Sequence, residues 1–366
     1  VALGTGRAGV KSMRTLDRYL ATEVLKASLL AVVALAALDA FFGLIIELED
    51  IGRYTYSLGD AFAYVAMTLP RRVMEVLPTG ALIGCLLGLG GMAARSELVA
   101  IRAAGVSISR IAWGVAKAGL VLVVAAALLS EFIAPWSETY ATNLRTTAQR
   151  DVSAARIHPG VWLRDGRDFV HIGYVYPDGR LVNVAVYAFD EQRRLTESAR
   201  AERATFADGT WTLHQATRSR LTADGIVTET AAEIERATLL DPALVQVVML
   251  KSRNLTASAL HRYVTYLESL GEDPRRYRQA FWSKLTAPLQ GLVMLLVALP
   301  FAFGSARSSP LGRRLVVGIV VGLLFHLVTR LFSQAGYAFD INPILSATLP
   351  SLLFLAVAML ALRRIR

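Results

Sequence analysis

Residues Ile108–Ala134 read ISRIAWGVAKAGLVLVVAAALLSEFIA, with no charged side chain between Lys117 and Glu131. A helix rises about 1.5 Å per residue, so roughly 20 apolar residues cross a hydrocarbon layer about 30 Å thick. This stretch is long enough to do so. Working outward, five more runs qualify: Val24–Ile46, Val73–Met92, Leu285–Phe303, Leu315–Phe332 and Ile344–Leu362. A further apolar run, Ala61–Leu69, precedes Val73, so that helix is expected to be longer than one span and bent at Pro70 or Pro78. The 54% hydrophobic content exceeds the ~45–50% of soluble domains, and the mean hydropathy is +0.45. The fold class expected is a membrane α-helical protein of six transmembrane helices, three before and three after a long middle region.

The formal net charge of +10 would suit nucleic acid if it were clustered. It is not: basic and acidic residues nearly balance across Pro135–Arg278, and the excess lies at the ends and in alternate short connections. Arg14, Arg18 and Lys26 flank the first run; Arg95, Arg102 and Arg110 join the second to the third. Arg307, Arg313 and Arg314 join the fourth to the fifth, and Arg363, Arg364 and Arg366 close the chain. The other connections carry Glu47, Glu49 and Asp50, or Asp340. Short basic loops stay in the cytoplasm. Both termini are therefore expected in the cytoplasm and the middle region on the far side of the membrane, with no nucleic-acid partner.

The middle region loses the helical period. Leu181–Phe189, Arg203–Phe206 and Trp211–His214 are short and β-prone, and Asp-Gly pairs recur at Asp165-Gly166, Asp178-Gly179, Asp208-Gly209 and Asp224-Gly225. Such pairs supply the positive φ angles of tight hairpins. An inserted antiparallel β-domain, a sandwich or jelly roll, is expected, with helical linkers Ser137–Ala148 and Ala257–Leu270. The organisation then reads as spans one to three over 13–136 with a cytoplasmic helix at 92–106, the β-domain over 137–278, and spans four to six over 279–366. Residues 1–12 read poorly as structure, and Met13 reads as the natural start.

Three features carry functional expectations. The connection Met92–Ile111, MAARSELVAIRAAGVSISRI, should form a short amphipathic helix. Ser96 would start it, Leu98 and Ile101 would share one face, Arg95 and Arg102 another, and Gly105 would end it with a left-handed cap. Such a helix either docks into a cytoplasmic partner or anchors the loop at the membrane surface. Second, Arg71, Arg72, Arg145, Arg278 and Lys284 fall near the outer boundary, where cations run against the positive-inside pattern. They suit a phosphorylated lipid, since guanidinium binds phosphate through paired hydrogen bonds; the alternative is snorkelling, or pairing with Glu75 or Glu131. Third, Gly80, Gly84 and Gly88 form a small-xxx-small face for close helix packing.

Catalytic chemistry finds no set of residues. Asp168 with His171, or Glu131 alone, lacks a nucleophile or metal partner at a usable spacing. Cys85 is the single cysteine and sits in an apolar run, no Cys/His pattern has metal-ligand spacing, and no Walker-type phosphate loop occurs. No cofactor is expected on this chain.

Several blocks carry a resemblance. LDRYL (Leu16–Leu20), GLGGMAARSELVAIRAAG (Gly88–Gly105), PGVWLRDGRDFVHI (Pro159–Ile172), WSKLTAPL (Trp282–Leu289) and FGSARSSPLGRRLVVGI (Phe303–Ile319) resemble the YjgP/YjgQ-type lipopolysaccharide export permeases, the LptF/LptG family, and its LptG branch more than its LptF branch. The likeness spans nearly all of the chain after Met13. It implies a permease that pairs with LptF, two LptB ATPases and LptC to extract lipopolysaccharide from the outer leaflet, with ATP and Mg on the ATPase. Glu97 would contact the ATPase, with Arg95, Ser96, Arg102 and Gly105 shaping its helix. Arg145 falls in a block where the family carries basic residues near the cavity, and Arg71 in a similar Pro-basic step. One departure is the outer half of the first span, Phe41–Glu49, which has no lysine where relatives carry basic residues. Two other classes remain on the residues alone: an inner-membrane sensor or scaffold with a periplasmic binding domain, and a membrane-embedded lipid transferase.

Overall fold

The computed structural model describes residues 5–52, 55–148, 160–175, 180–207, 210–222, 225–236, 255–303, 311–339 and 341–364. They form two compact units, one made of 1–51, 58–141 and 275–366, the other of 52–57 and 142–274.

The first unit is helical. It comprises α1 (Thr5–Leu48), α2 (Leu58–Ala94), the short α3 (Glu97–Ala103), α4 (Ile108–Leu128), a π-turn (Leu129–Ile133) leading into α5 (Ala134–Ala148), whose part from Thr142 belongs to the second unit, then α7 (Arg275–Phe303), α8 (Leu311–Ala338) and α9 (Pro343–Arg364). Among the described residues six helices are long and apolar enough to cross a membrane, α4, the π-turn and α5 counting as one. Helix α1 begins at Thr5, inside the stretch that reads poorly as structure, and α2 runs unbroken through Pro70 and Pro78.

Helix α2 is the most buried of the spans and packs against α1, α7 and α8, while α4 packs on α1 and α7. Small residues permit this crowding. A Cβ on Gly80 would meet the Val32 backbone at 3.0 Å, one on Gly84 would strike the Ser28 backbone, and one on Gly88 would lie 3.3 Å from Ala27. On another face of α2, Thr79 and Ile83 take the approach of Gly322 and Gly318. Leu82, Cys85, Leu89, Met294 and Leu295 lie in the resulting core. Leu30, Phe132, Leu323 and Leu360 are exposed, as lipid-facing side chains would be.

Among the described residues the second unit holds one antiparallel sheet in sequence order, β1 (Val161–Asp165), β2 (Asp168–Val175), β3 (Leu181–Phe189), β4 (Leu195–Ala207), β5 (Thr210–Thr222) and β6 (Gly225–Arg236), with α6 (Ala257–Ser269) later in the chain. The Asp165-Gly166 hairpin lies between β1 and β2, with Gly166 at φ +58°. Gly225 opens β6; Asp178-Gly179, Asp208-Gly209 and Asp224 lie outside the described residues. The β3–β4 turn has no glycine: Asp190 accepts from the Gln192 and Arg194 amides at 2.9 and 2.8 Å, and Arg193 takes φ +59°.

The inward-facing set changes parity along the strands. It runs from Leu181 to Val184 and Val186 in β3, from Ala199 and Ala201 to Ala204 in β4, and from Trp211 and Leu213 to Ala216 in β5. At the switch Asn183, Glu202 and Gln215 drop out of the ladders, and Asn183 and Gln215 take φ +54° and +52°. The sheet folds over along this line. Arg236 neighbours Trp211 across β5–β6, yet its guanidinium pairs with Glu197, which neighbours Arg220. Flat strands would hold those two rungs roughly 30 Å apart at about 3.3 Å per residue. The core Leu163, Ile172, Val184, Trp211 and Leu213 is enclosed in the fold; the inserted antiparallel β-domain is as expected, and its described strands form a single folded sheet in sequence order.

Candidate functional site

The connection between α2 and α4 is built around α3. Leu98 is buried, and Ile101 and Val106 pack on the helical core. The C-terminus closes with the Gly105 N–H donating to Arg102 O at 3.0 Å and the Val106 N–H to Ile101 O at 3.3 Å, Gly105 at φ +84°. This double closure ends a helix firmly and requires a left-handed residue. Ser96 departs from expectation: it occupies the N-cap position but at φ +61°, and its hydroxyl caps nothing. Ser107 does cap α4, accepting from the Arg110 N–H at 3.3 Å.

Glu97 is held from two sides. Arg95 Nε donates to Oε1 at 2.6 Å, and Tyr19 Oη, on α1, donates to Oε2 at 2.8 Å. Arg95 also lies 3.8 Å from Glu23. The Arg95 guanidinium first, then the Tyr19 hydroxyl, hold the Glu97 carboxyl below the usual carboxylate range, and the Arg95 pKa is raised in turn. The carboxylate stays at the surface, ionised and pre-oriented. Two residues before Tyr19 on α1, buried Asp17 pairs with Arg110 at 3.0 Å and with Lys117, both on α4. Arg102 lies apart from Glu97, in a cavity of about 520 Å³ with Ser107, Ile108, Met359 and Arg363.

Reading the residues alone missed Asp17, Tyr19 and Glu23. Their spacing along α1 is visible in the sequence, but their partners stand far along the chain. Gly318 and Gly322 were also missed, although their four-residue spacing is the same signal that singled out Gly80, Gly84 and Gly88.

The outer-boundary cations are held by different partners. Consecutive Arg71 and Arg72 point to different helices: Arg71 pairs with Glu75 at 2.6 Å and with buried Glu138 on α5, while Arg72 meets the Asp39 carboxylate at 2.6 Å and its carbonyl at 3.0 Å on α1. Pairing within the chain, the alternative to lipid phosphate, is thus the arrangement found for these two. Lys284, on α7, is within electrostatic reach of Glu131. Arg278 is half-buried in the first turn of α7, and Arg145 lies in the last turn of α5, in the other compact unit.

Asp168 lies 3.8 Å from Arg236, a structural pairing. Among the described residues no group of His, Cys, Asp and Glu could hold a metal ion.

The model of the family described as lipopolysaccharide export system permease LptF/LptG matches residues 18–364. The lipopolysaccharide export system permease protein LptG of Haemophilus influenzae is 34% identical over 356 residues, 97% of this chain and 99% of that protein. The protein of the same name from Escherichia coli strain K12 is 35% identical over 353 residues, 95% of this chain and 98% of that protein.

Proposed function

The chain belongs to the lipopolysaccharide export permease family LptF/LptG, and from that premise we propose that it is the LptG-type permease of an exporter that draws lipopolysaccharide from the outer leaflet of the bacterial inner membrane. It works beside an LptF-type sister permease, two LptB ATPases and LptC. ATP and Mg bind the ATPase, and this chain performs no bond-breaking step. Both termini and α3 face the cytoplasm, and the β-domain faces the periplasm, following the basic loops.

The observation that carries the coupling role is Glu97, a half-buried carboxylate clamped by Arg95 and Tyr19 on a helix whose other face is buried through Leu98. A partner that pushes on Glu97 pushes on a stiff unit joined to α1 through Tyr19 and continuous with α2 and α4. Closure of the ATPase is thereby delivered to three spans at once. At the outer end, Arg278 and Lys284 of the helical unit meet lipid phosphates alongside the partners they have within the chain, and Arg145, in the other unit, is assigned the same chemistry separately. Arg71 and Arg72 anchor α5 and α1 to α2, because exchanging a carboxylate for phosphate would strand Glu138 or Asp39. The acyl chains contribute about 0.8 kcal/mol per buried CH₂.

The test is co-reconstitution with the sister permease, ATPase and LptC in vesicles holding lipopolysaccharide. Wild-type chain should support ATP-driven release. Glu97→Ala should leave a folded complex that hydrolyses ATP without release. Normal release by Glu97→Ala would remove the coupling role, and no release with any partner set would remove the exporter reading.

A further inference from the structure

The face of the sheet opposite the β-domain core carries a cavity of about 640 Å³ along the fold line. That volume falls within the roughly 300–1,000 Å³ of small-molecule sites. One row of directly paired residues crosses its floor, from Trp162 through His171 and Ala185 to Arg200 and Thr217. The indole of Trp162 is 58% exposed. It stacks on Tyr187, with centroids 5.7 Å apart and planes inclined by 28°, and leans on His171 at 4.9 Å. An exposed indole backed by a second ring leaves a flat apolar face in water, so something flat and partly apolar would gain by covering it.

The opposite rim is polar. Asn183, Arg200, Glu202 and Gln215 are exposed, and none has a side-chain hydrogen bond or ion pair among the described residues. Asn183 and Gln215 occupy the two positive-φ positions of the fold line. Asn tolerates that backbone, but Gln has no local reason to be there, and such strain persists where the surroundings over-determine it. Each of these four side chains ends in a planar group with two or more donor or acceptor sites.

An aromatic platform facing planar amide, carboxylate and guanidinium groups has a definite complement. We infer that this cavity binds a saccharide. The C–H face of a sugar ring lies on Trp162, which Tyr187 backs, where polarised C–H groups meet the negative ring face. Neighbouring hydroxyls then satisfy Asn183, Gln215, Arg200 and Glu202 in pairs. An acyl chain would leave that rim unpaired, and an anion would meet Glu202. The site stands on its own geometry. Only the assignment of the sugar to the exported lipid rests on the transport reading; the other source of the same chemistry is cell-wall glycan.

The experiment is calorimetry and saturation-transfer NMR on the full chain in a detergent without sugar headgroups. The probes are the lipid-free oligosaccharide cleaved from lipopolysaccharide and, separately, disaccharide fragments of peptidoglycan. At least one probe should bind, and Trp162→Ala should weaken it by about tenfold or more. Gln215→Gly, which accepts the same backbone angle, should weaken it as well and keeps the test sound if Trp162→Ala disturbs the sheet. Binding of the lipopolysaccharide oligosaccharide supports the site and the cargo source; binding of peptidoglycan fragments alone supports the site and assigns it to the wall. Binding of neither probe, or binding unchanged in both variants, overturns it. Failure of the exporter reading would show separately, in the release assay.

Discussion

Tyr19 Oη donates to Glu97 Oε2 at 2.8 Å, a bond that joins the first membrane-type helix to α3 across 78 positions of sequence. With Arg95 on the other oxygen, it fixes the direction of a surface carboxylate that would otherwise sample several rotamers. Because the Glu97 carboxyl titrates below its ordinary range, the clamp keeps its charge until the pH falls through that lowered value.

Tyr19→Phe removes the donor and keeps the ring. Lipopolysaccharide released per ATP should fall several-fold, less than for Glu97→Ala, since Arg95 remains. The reconstituted release assay measures this, and a Tyr19→Phe chain with wild-type stoichiometry would show that the bond is incidental to coupling.

At Gly84 a Cβ would run into the Ser28 backbone. Gly84→Val should force α1 and α2 apart, an overpacking that typically costs about 1–3 kcal/mol. Gly88→Ala, whose nearest neighbours lie at 3.3 Å, should be much milder. Thermal unfolding in detergent ranks the two, and equal midpoints would contradict the tight crossing at Gly84.

Arg72 is 12% exposed and bound to Asp39. The double cycle of Arg72→Gln with Asp39→Asn should show a coupling of about 0.5–3 kcal/mol in stability. Were Arg72 chiefly a lipid ligand, the coupling would vanish, and lipopolysaccharide co-purification would drop for Arg72→Gln alone.

Glu197 fastens the folded sheet through Arg218 at 2.6 Å and through Arg236. Burial pushes its carboxyl up, but the Arg218 hydrogen bond and the Arg236 and Arg218 charges outweigh it, and it titrates below the usual range. A depressed carboxylate contributes fully above its unfolded pKa, near 4.3, and the contribution is lost as pH falls through the folded value. Acid should therefore loosen β4–β6 in that window. Glu197→Gln should cost about 1–3 kcal/mol at neutral pH and flatten the acid dependence. Hydrogen exchange of the β4–β6 amides reads both.

Much of the architecture is legible locally. A membrane span must satisfy its backbone and present apolar side chains within one continuous segment, so all six appear in the sequence, although four of the helices run well past the apolar run at one end, the first starting at Thr15, the second at Leu58, the third ending at Arg145 and the fourth starting at Arg275. The Asp165-Gly166 hairpin is equally local. Strand β4, LTESARAERATFA, is not: Ala, Glu and Arg favour helix, and only β3 and β5, pairing on either side, make it a strand.

The sequence by itself determined how many times the chain can cross a bilayer, where the β-domain is inserted, and which short segment carries Glu97. The tertiary structure alone decided which carboxylate each arginine meets, that Tyr19 reaches Glu97, and that the sheet folds so that Arg236 meets Glu197. Spans and hairpins are set by interactions among near neighbours, which a pattern records. An ion pair between residues far apart in the chain depends on helix rotation and strand register, and those are settled only when all the elements pack together.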